Sequence, residues 1–422
     1  MADDSGNPVL DNKALERILE VTRQLARPLD LQTMLERVIE AGLTVLQADR
    51  GTVFLYDPDR DELSSTVATG TQQLRIPAGK GIVGECARTR HVINVPDCYA
   101  DARFNRDVDR QTGYRTRCLL TVPLIGYDDL LVGVLQVLNK HEGVFTEEDE
   151  QIATALGAQC AVALQRARML KDLVAKEKMQ RELAVAREIQ MRVLPQVVPS
   201  LAGYDIAGWS RPADETGGDI YDIIEIGGNR VVLLLGDATG HGIGPALSVT
   251  QVRSMLRVCI RLGAGFDEAF KHINDQLVDD LSSNRFVTAF LGALDAGAHR
   301  IEYHAGGQAP VVHFHDARGE FEWLQSSTMP MGVLPGIPKK PPRTLDLAPG
   351  DILALMTDGI YEYENGQGEQ FGESRVGALI REHRDEPMER LAGRIVAEVE
   401  AFAQGAPQND DMTILLVRRL PA

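Results

Sequence analysis

The sequence predicts an α+β protein of two folded units joined by a long helix, and three observations carry that prediction. The chain has 422 residues, more than one ordinary core accommodates, so two units plus a connector is the expected division. Residues 146–194 contain no proline and a single glycine, Gly157, and strong helix formers dominate them. Short Val/Leu/Ile-rich runs bounded by polar turns occupy both sides of that stretch.

The elements follow in order. After a polar tail, residues 11–46 carry apolar side chains at helical spacing (Leu15, Ile18, Leu25, then Leu31, Leu35, Val38), interrupted near Pro28, which predicts two opening helices. Between Arg50 and Asn139 the runs GTVFLYD, ELSSTVAT, HVINVP, CLLTVPLI and LLVGVLQVLN predict a single mixed sheet flanked by helices. The connector, if helical throughout, is roughly 70 Å long. Thr146 with Asp149 forms a variant capping box at its start, and Pro195 ends it. Leu156, Ala163 and Leu170 recur every seven residues, with Leu173 and Val174 next, the pattern of a parallel dimer seam. The phase slips near Lys176, and Met179, Leu183, Ala186 and Val193 define a second apolar face. Two phases suit a helix that rotates or bends between states; the alternative is two helices, each packed on its own unit. From Val197 to Leu420, strands surround helical blocks at Pro245–Leu262, Asp267–Leu281 and Ser374–Phe402, an order that fits antiparallel sheets covered by helices.

Composition narrows the function. Hydrophobic residues make up 44% and charged residues 25%, within the globular range. A net charge of -17, with no dense Lys/Arg patch interleaved with aromatics, excludes nucleic acid as an expected partner. No apolar stretch approaches bilayer length and the start MADDSGNPVL is acidic, so no membrane association and a cytoplasmic location are expected. The five cysteines are scattered without a CxxC pair, which reads as buried free thiols and not as disulfides or a zinc cage.

The chemistry lies in the aspartates. In GGDIYDIIEIGGNRVVLLLGD (217–237), two β-type runs flank the turn Gly227-Gly228-Asn229. Asp219 and Asp237 are equidistant from Gly228, so antiparallel pairing brings both carboxylates to the open end. ILALMTD ends in Asp358 after an apolar run, and DDMTILLVR begins with Asp410 and Asp411 before one. Alternating strand direction then deposits all these acids along one sheet edge, where mutual repulsion calls for cations, and hard oxygen donors select Mg²⁺ or Mn²⁺ over zinc. Neighbouring glycines let a backbone carbonyl join them.

The motifs PAxxxGGDxYD (212–222), GDxxGHG (236–242), RFVTAFL (285–291), TDGIYE (357–362) and DDMT (410–413) resemble the bacterial PPM-type phosphatases of the RsbU/SpoIIE branch. The resemblance implies an α-β-β-α sandwich that removes phosphate from serine or threonine of a regulatory protein, an anti-sigma-factor antagonist being the family's substrate. It further implies that Asp219, Asp237, Asp358 and Asp410 hold two Mn²⁺ or Mg²⁺ ions, with Asp237 bridging and the Ala238 carbonyl contributing, and that no protein nucleophile is required. Asp411 and Asp222 either orient metal water or cap turns. His241 either protonates the leaving oxygen or holds backbone, the structural role being favoured. The segment YHAGGQAPVV departs from the branch's NAGHxP pattern, with Gly307 and Gln308 in place of Gly-His. RELAVAREIQMRVLP (181–195) is similar to the helix that precedes and regulates those domains.

In the first unit, NKHEGVFTEEDE (139–150) carries the NKFDE pattern, and with DARFNRDVDRQTGYRTRCLLTVPL (101–124) it resembles the GAF domains of cyclic-nucleotide phosphodiesterases and adenylyl cyclases. Lys140 and Asp149 suit a charge pair pinning the last strand to the next helix. Spacings of three and four place Asp109, Thr112 and Thr116 on one face of a helix after Phe104, a carboxylate and hydroxyls suited to a purine edge and a cyclic phosphate. The resemblance makes cAMP or cGMP the leading ligand, while other GAF domains take other small molecules or none. It also implies an antiparallel sheet with flanking helices.

The expected organisation is a tail and lead-in helix (1–24), a GAF sensor (25–167), a helical linker (168–198) and a PPM-type phosphatase (199–420), with a homodimer through the GAF domain and linker. A nonenzymatic GAF scaffold carrying a degenerate phosphatase is the alternative, against which the presence of all four metal acids argues.

Overall fold

The computed structural model describes residues 31–68, 75–127, 129–282 and 284–421; the expected tail and lead-in helix of residues 1–24 lie outside the described residues. The chain divides into two compact units, one up to Lys178 and one from Met179.

In the first unit, α1 (Leu31–Leu46) buries Met34, Leu35, Val38, Ile39 and Val45 at helical spacing. Strands β1 (Ala48–Asp57), β2 (Glu62–Ala68) and β3 (Arg75–Pro77) are followed by α2 (Gly81–Thr89), β4 (Ile93–Val95), α3 (Arg106–Thr112), β5 (Leu119–Ile125) and β6 (Leu131–Lys140). They form one six-stranded sheet in the order β3-β2-β1-β6-β5-β4. Among the described residues every pairing is antiparallel, so the sheet is not mixed: short connections make hairpins of β1–β2 and β5–β6, which need no parallel crossover.

The connector is one continuous helix, α4 (Glu147–Val193), and the alternative of two separate helices does not hold. Asp149 Oδ2 accepts from the Thr146 amide at 2.8 Å while Thr146 Oγ1 accepts from the Asp149 amide at 3.3 Å, a reciprocal cap. Asp149 also pairs with Lys140, tying β6 to the helix start. Ile152, Ala153, Leu156, Cys160 and Leu164 belong to the first unit's core. Beyond them Leu170, Leu173, Val174, Met179, Val185 and Ile189 are 48–64% exposed. No helix among the described residues is long and apolar enough to cross a membrane.

The second unit contains β7 (Tyr204–Arg211), β8 (Asp219–Gly227), β9 (Arg230–Ala238), α5 (Ile243–Arg261), α6 (Phe266–Asp280), β10 (Val287–Asp295), β11 (Arg300–Gly306), β12 (Val311–His315), β13 (Glu320–Leu324), β14 (Arg343–Asp346), β15 (Ile352–Met356), α7 (Asp358–Tyr361), α8 (Glu373–Glu382), α9 (Met388–Ala403) and β16 (Met412–Arg419). Two five-stranded sheets result, β14-β11-β10-β9-β8 and β13-β12-β15-β16-β7. Leu233 and Leu291 of the first share a core with Val311, Leu353, Leu355 and Val417 of the second, together with Val252, Leu256 and Phe270 from α5 and α6. Val376, Ile380, Leu391 and Ile395 from α8 and α9 cover the second sheet's other face at Phe314, Ile352 and Ile414. This is the expected α-β-β-α sandwich. The single helical block expected at 374–402 is two helices, because Pro387 cannot continue a helix and instead stands at the cap of α9.

Candidate metal centre

The β8–β9 hairpin turns through Gly227, Gly228 and Asn229, all at positive φ, and its register sets Asp219 directly opposite Asp237. In the second sheet β15 pairs antiparallel with β16, Met356 opposite Ile414, so Asp358 just past one strand and Asp410 just before the other lie at the same end. Sequence reasoning put all the acids on one sheet edge; the structure draws them from two stacked sheets. Hydrogen bonds tie those sheets together. Thr357 Oγ1 donates to Asp219 Oδ2 at 2.7 Å, and the Asp411 carboxylate accepts from the amides of Ala213 at 2.7 Å, Asp219 at 3.3 Å and Gly218. Gly359 is required where α7 passes the Asp411 backbone, since a Cβ there would sit 2.0 Å from the Asp411 carbonyl oxygen.

Burial and mutual repulsion set the electrostatics. Burial raises Asp219 well above the carboxylate range, and Asp237 and Asp411 add to it. Burial, then Asp358, Asp410 and Asp411, pushes Asp237 up to about 7. Burial and Asp410 raise Asp358, and burial chiefly raises Asp410. Carboxylates that repel one another in this way are a hard-oxygen donor set that divalent cations would neutralise. A Cβ at Gly218 would lie 2.8 Å from the Ala238 carbonyl oxygen, so only glycine fits beside that oxygen. Buried carboxylates that raise one another, beside a backbone carbonyl, are a donor set that fits divalent cations of the hard, oxygen-preferring kind.

The neighbouring acids divide by role. Asp411 is a structural clamp on the loop before β8, as the three amide bonds show. Asp222 is remote from water: it is buried and ion-paired to Arg257 at 2.6 Å and Arg253 at 3.0 Å on α5, so neither orienting metal water nor capping a turn describes it. Asp222→Asn removes the counter-charge of two partly buried guanidinium groups and is expected to cost on the order of 3 kcal/mol, measured by urea denaturation. A loss under about 0.5 kcal/mol would contradict the pairing. Among the described residues His241 has no backbone partner; its exposed ring meets Asp214 Oδ2 at 2.9 Å and lies near enough to Asp410 to offset a small part of that carboxyl's rise. Gln308 is buried and donates to the Met356 carbonyl at 2.8 Å, bracing β15 just ahead of Asp358.

Sequence reasoning missed Gln190. Its carboxamide clamps Gly217 in both directions, donating to the carbonyl at 2.6 Å and accepting from the amide at 3.0 Å. The last turns of α4 thus grip the loop that carries Asp219 and that Asp411 holds. Nothing in the local pattern marks this glutamine, since its partner lies 27 residues on. A cleft of about 240 Å³ flanks Asp358 and Asp410, with Glu362, Tyr363 and Asn409 on its walls.

In the first unit Asp109 and Thr116 come together but not on one helix face. Gly113, in the left-handed conformation, ends α3 at Thr112, so Thr116 lies beyond it. Asp109 Oδ2 accepts from the Thr116 amide at 2.7 Å and from the Tyr99 hydroxyl at 3.1 Å, and Oδ1 from Thr116 Oγ1 at 2.8 Å. Both carboxylate oxygens are engaged in holding the loop. Thr112 is the last residue of α3; its side chain lies outside the described residues.

Comparison with known proteins separates the same two halves. The family model "Stage II sporulation protein E (SpoIIE)" matches residues 227–420, and the GAF domain model matches residues 30–164. A probable 3',5'-cyclic phosphodiesterase of Caenorhabditis elegans is 29% identical over 184 residues, 39% of this chain and 25% of that protein. A cGMP-specific 3',5'-cyclic phosphodiesterase of Drosophila sechellia is 31% identical over 174 residues, 37% of this chain and 14% of that protein. The chain thus spans a quarter or less of the length of these relatives. Among solved structures, the SiaA-PP2C domain of Pseudomonas aeruginosa is 25% identical with a TM-score of 0.51, covering 58% of this chain and 98% of that one.

Proposed function

We propose, on the premise that this chain joins a GAF domain to a SpoIIE-type domain of the PPM phosphatases, that it is a metal-dependent protein serine/threonine phosphatase governed by its GAF half. The observation that carries the reading is the meeting of Asp219, Asp237, Asp358 and Asp410 from two sheets, with burial and then repulsion pushing Asp237 up to about 7. Asp219, Asp237, Asp358, Asp410 and the Ala238 carbonyl would hold two Mn²⁺ or Mg²⁺ ions. When bound, such a pair activates a water and neutralises phosphoryl oxygens. The chain's own groups do the rest. Thr357 orients Asp219 through its hydroxyl, and Asp411 fixes the Gly218 loop. The His241–Asp214 pair stands exposed beside Asp410, where it can supply a proton to the departing serine or threonine oxygen.

A phosphoprotein substrate, with an anti-sigma-factor antagonist as the family's example, suits the open, acidic mouth better than a small enclosed metabolite would. The test is hydrolysis of p-nitrophenyl phosphate and of phosphoserine peptides by the purified chain with Mn²⁺ or Mg²⁺. A rate equal to that of the chelated protein would overturn the assignment and leave a nonenzymatic scaffold.

For the sensor we propose a cyclic nucleotide, supported by the likeness to phosphodiesterases named for cGMP, and a cytoplasmic homodimer that covers the apolar side chains exposed on α4. Asp109 and Thr116 then shape the pocket wall through their mutual bonds. Ligand binding is transmitted when α4 turns and Gln190 moves Gly217. Gln190→Ala deletes two buried hydrogen bonds of about 1 kcal/mol each. The basal rate is expected to change about tenfold, and any response to cAMP or cGMP to vanish, in a steady-state assay of the full chain. An unchanged nucleotide response in that variant would sever the helix from the control of the site.

A further inference from the structure

The second unit carries another cluster of ligating side chains. β12 places His313 and His315 two residues apart, hence on one face of the strand, and their ring centroids are 3.9 Å apart. Both rings turn a nitrogen to the same oxygen: Asp351 Oδ2 is 3.0 Å from His313 Nε2 and 3.7 Å from His315 Nδ1. One ligand atom from each of the three residues lies within 4.8 Å of the others.

We propose that His313, His315 and Asp351 form a binding site for a borderline divalent transition ion, Zn²⁺ by its donor set, separate from the aspartate centre. Donors around a tetrahedral zinc at about 2.0–2.2 Å lie about 3.3 Å from one another, between the two nitrogen–oxygen separations seen. Two imidazoles and one carboxylate select zinc over Mg²⁺, which wants oxygen alone.

The surroundings hold the donors in place. Asp351 Oδ1 accepts from the Asp316 amide at 3.0 Å and Oδ2 from the Ala348 amide at 3.0 Å, which fixes the carboxylate. Glu322 Oε2 stands 3.5 Å from His315 Nε2, on the side of the ring away from Asp351. A carboxylate there draws the imidazole proton to Nε2 and leaves the Nδ1 lone pair free for an ion. The carboxylate of Asp316 does not join the cluster, being paired to Arg384 at 3.0 Å. The side chains of His313 and Asp351 are 3% exposed and that of His315 is 20% exposed, so the cluster reaches solvent along His315, and an ion held by the three side chains would take water as its fourth ligand. Asp351 precedes β15 whereas Asp358 follows it, so the two centres sit at opposite ends of one strand. An ion here would staple the β12–β13 hairpin to the turn before β15.

The experiment uses the full chain, stripped with a chelator and returned to excess Mg²⁺ so that the aspartate centre is filled. Zn²⁺ is then titrated in competition with a chromophoric chelator, and thermal unfolding is followed with and without the ion. The wild type is expected to take up one Zn²⁺ and to unfold at a higher temperature with it. His315→Gln, at the partly exposed position, is expected to bind at least about 100-fold more weakly and to show no thermal shift, and Glu322→Gln to bind about 10-fold more weakly. Asp237→Asn should bind zinc as the wild type does. Zinc binding that persists in His315→Gln, that disappears in Asp237→Asn, or that is absent from the wild type would each overturn the proposal, leaving a hydrogen-bonded His–Asp cluster. No outcome depends on phosphatase activity.

Discussion

Asp237→Asn is expected to lower Mn²⁺-dependent hydrolysis of p-nitrophenyl phosphate by at least about 10³-fold while the protein stays folded. The substitution keeps the volume of the side chain and removes the carboxylate that faces most of the others: Asp358, Asp410 and Asp411 each act on it, and Asp219 lies across the hairpin. Under the proposed function Asp237 would help hold the ions, and its loss would then withdraw stabilisation from the attacking water and from the phosphoryl oxygens together. About 4 kcal/mol of transition-state stabilisation corresponds to that factor. Asp358→Asn removes a single carboxylate nearer the mouth and is expected to fall one or more decades, partly restored by raising Mn²⁺. Asp222→Asn, whose carboxylate is spent on Arg253 and Arg257, should alter stability with little effect on turnover at temperatures where it is folded. Rates for Asp237→Asn within about fivefold of wild type at saturating Mn²⁺ would remove the four aspartates from the chemistry.

What the sequence made legible follows the range of the interactions. The hairpin pairing of Asp219 with Asp237 was readable because a Gly-Gly-Asn turn fixes register locally and the count does the rest. The reciprocal cap of Thr146 and Asp149 was readable for the same reason, both partners lying within one turn. Strand polarity correctly sent Asp358 and Asp410 to the same end of their strands, but it carries no information on which sheet a strand joins, and the single edge became two. The face assigned to Asp109, Thr112 and Thr116 failed where Gly113 ended the helix; a glycine just after a short polar helix was the signal available. Asp222 reads as another acid of the motif until Arg253 and Arg257 are brought over it by the packing of α5 on β8. Gln190 and the His313–His315–Asp351 cluster depend on tertiary contacts across 27 and 38 residues, beyond any periodic pattern.

With divalent ions removed, the protein is expected to lose stability as pH rises from about 4 to about 7, the reverse of the usual behaviour of paired carboxylates. The sign follows from proton binding. Asp219, Asp237, Asp358 and Asp410 have folded-state pKa values raised by burial and by neighbouring acids of the cluster, and Asp411 is raised by burial and by Asp214, whereas the unfolded chain titrates near the ordinary carboxylate value. Between the two, the folded state binds more protons than the unfolded state, so the slope of unfolding free energy against pH is negative. For Asp237 alone, a rise from 3.8 to about 7 corresponds to a loss on the order of 4 kcal/mol across the window, and its coupled neighbours share in that penalty. Urea denaturation of chelated protein at pH 5 and pH 7.5 should show it as a fall in midpoint. Adding Mn²⁺ or Mg²⁺ at pH 7.5 should restore the midpoint, because the cations replace the protons as the neutralising charge. Asp237→Asn should flatten the chelated protein's pH dependence and make it more stable than wild type at pH 7.5 in the absence of ions. The same substitution that is expected to abolish turnover therefore stabilises the ion-free fold, a pairing of effects that a merely structural aspartate would not give. A chelated wild type whose midpoint stays level or rises over that pH range would show that the acids do not crowd one another, and the case for an ion pair between the sheets would fail with it.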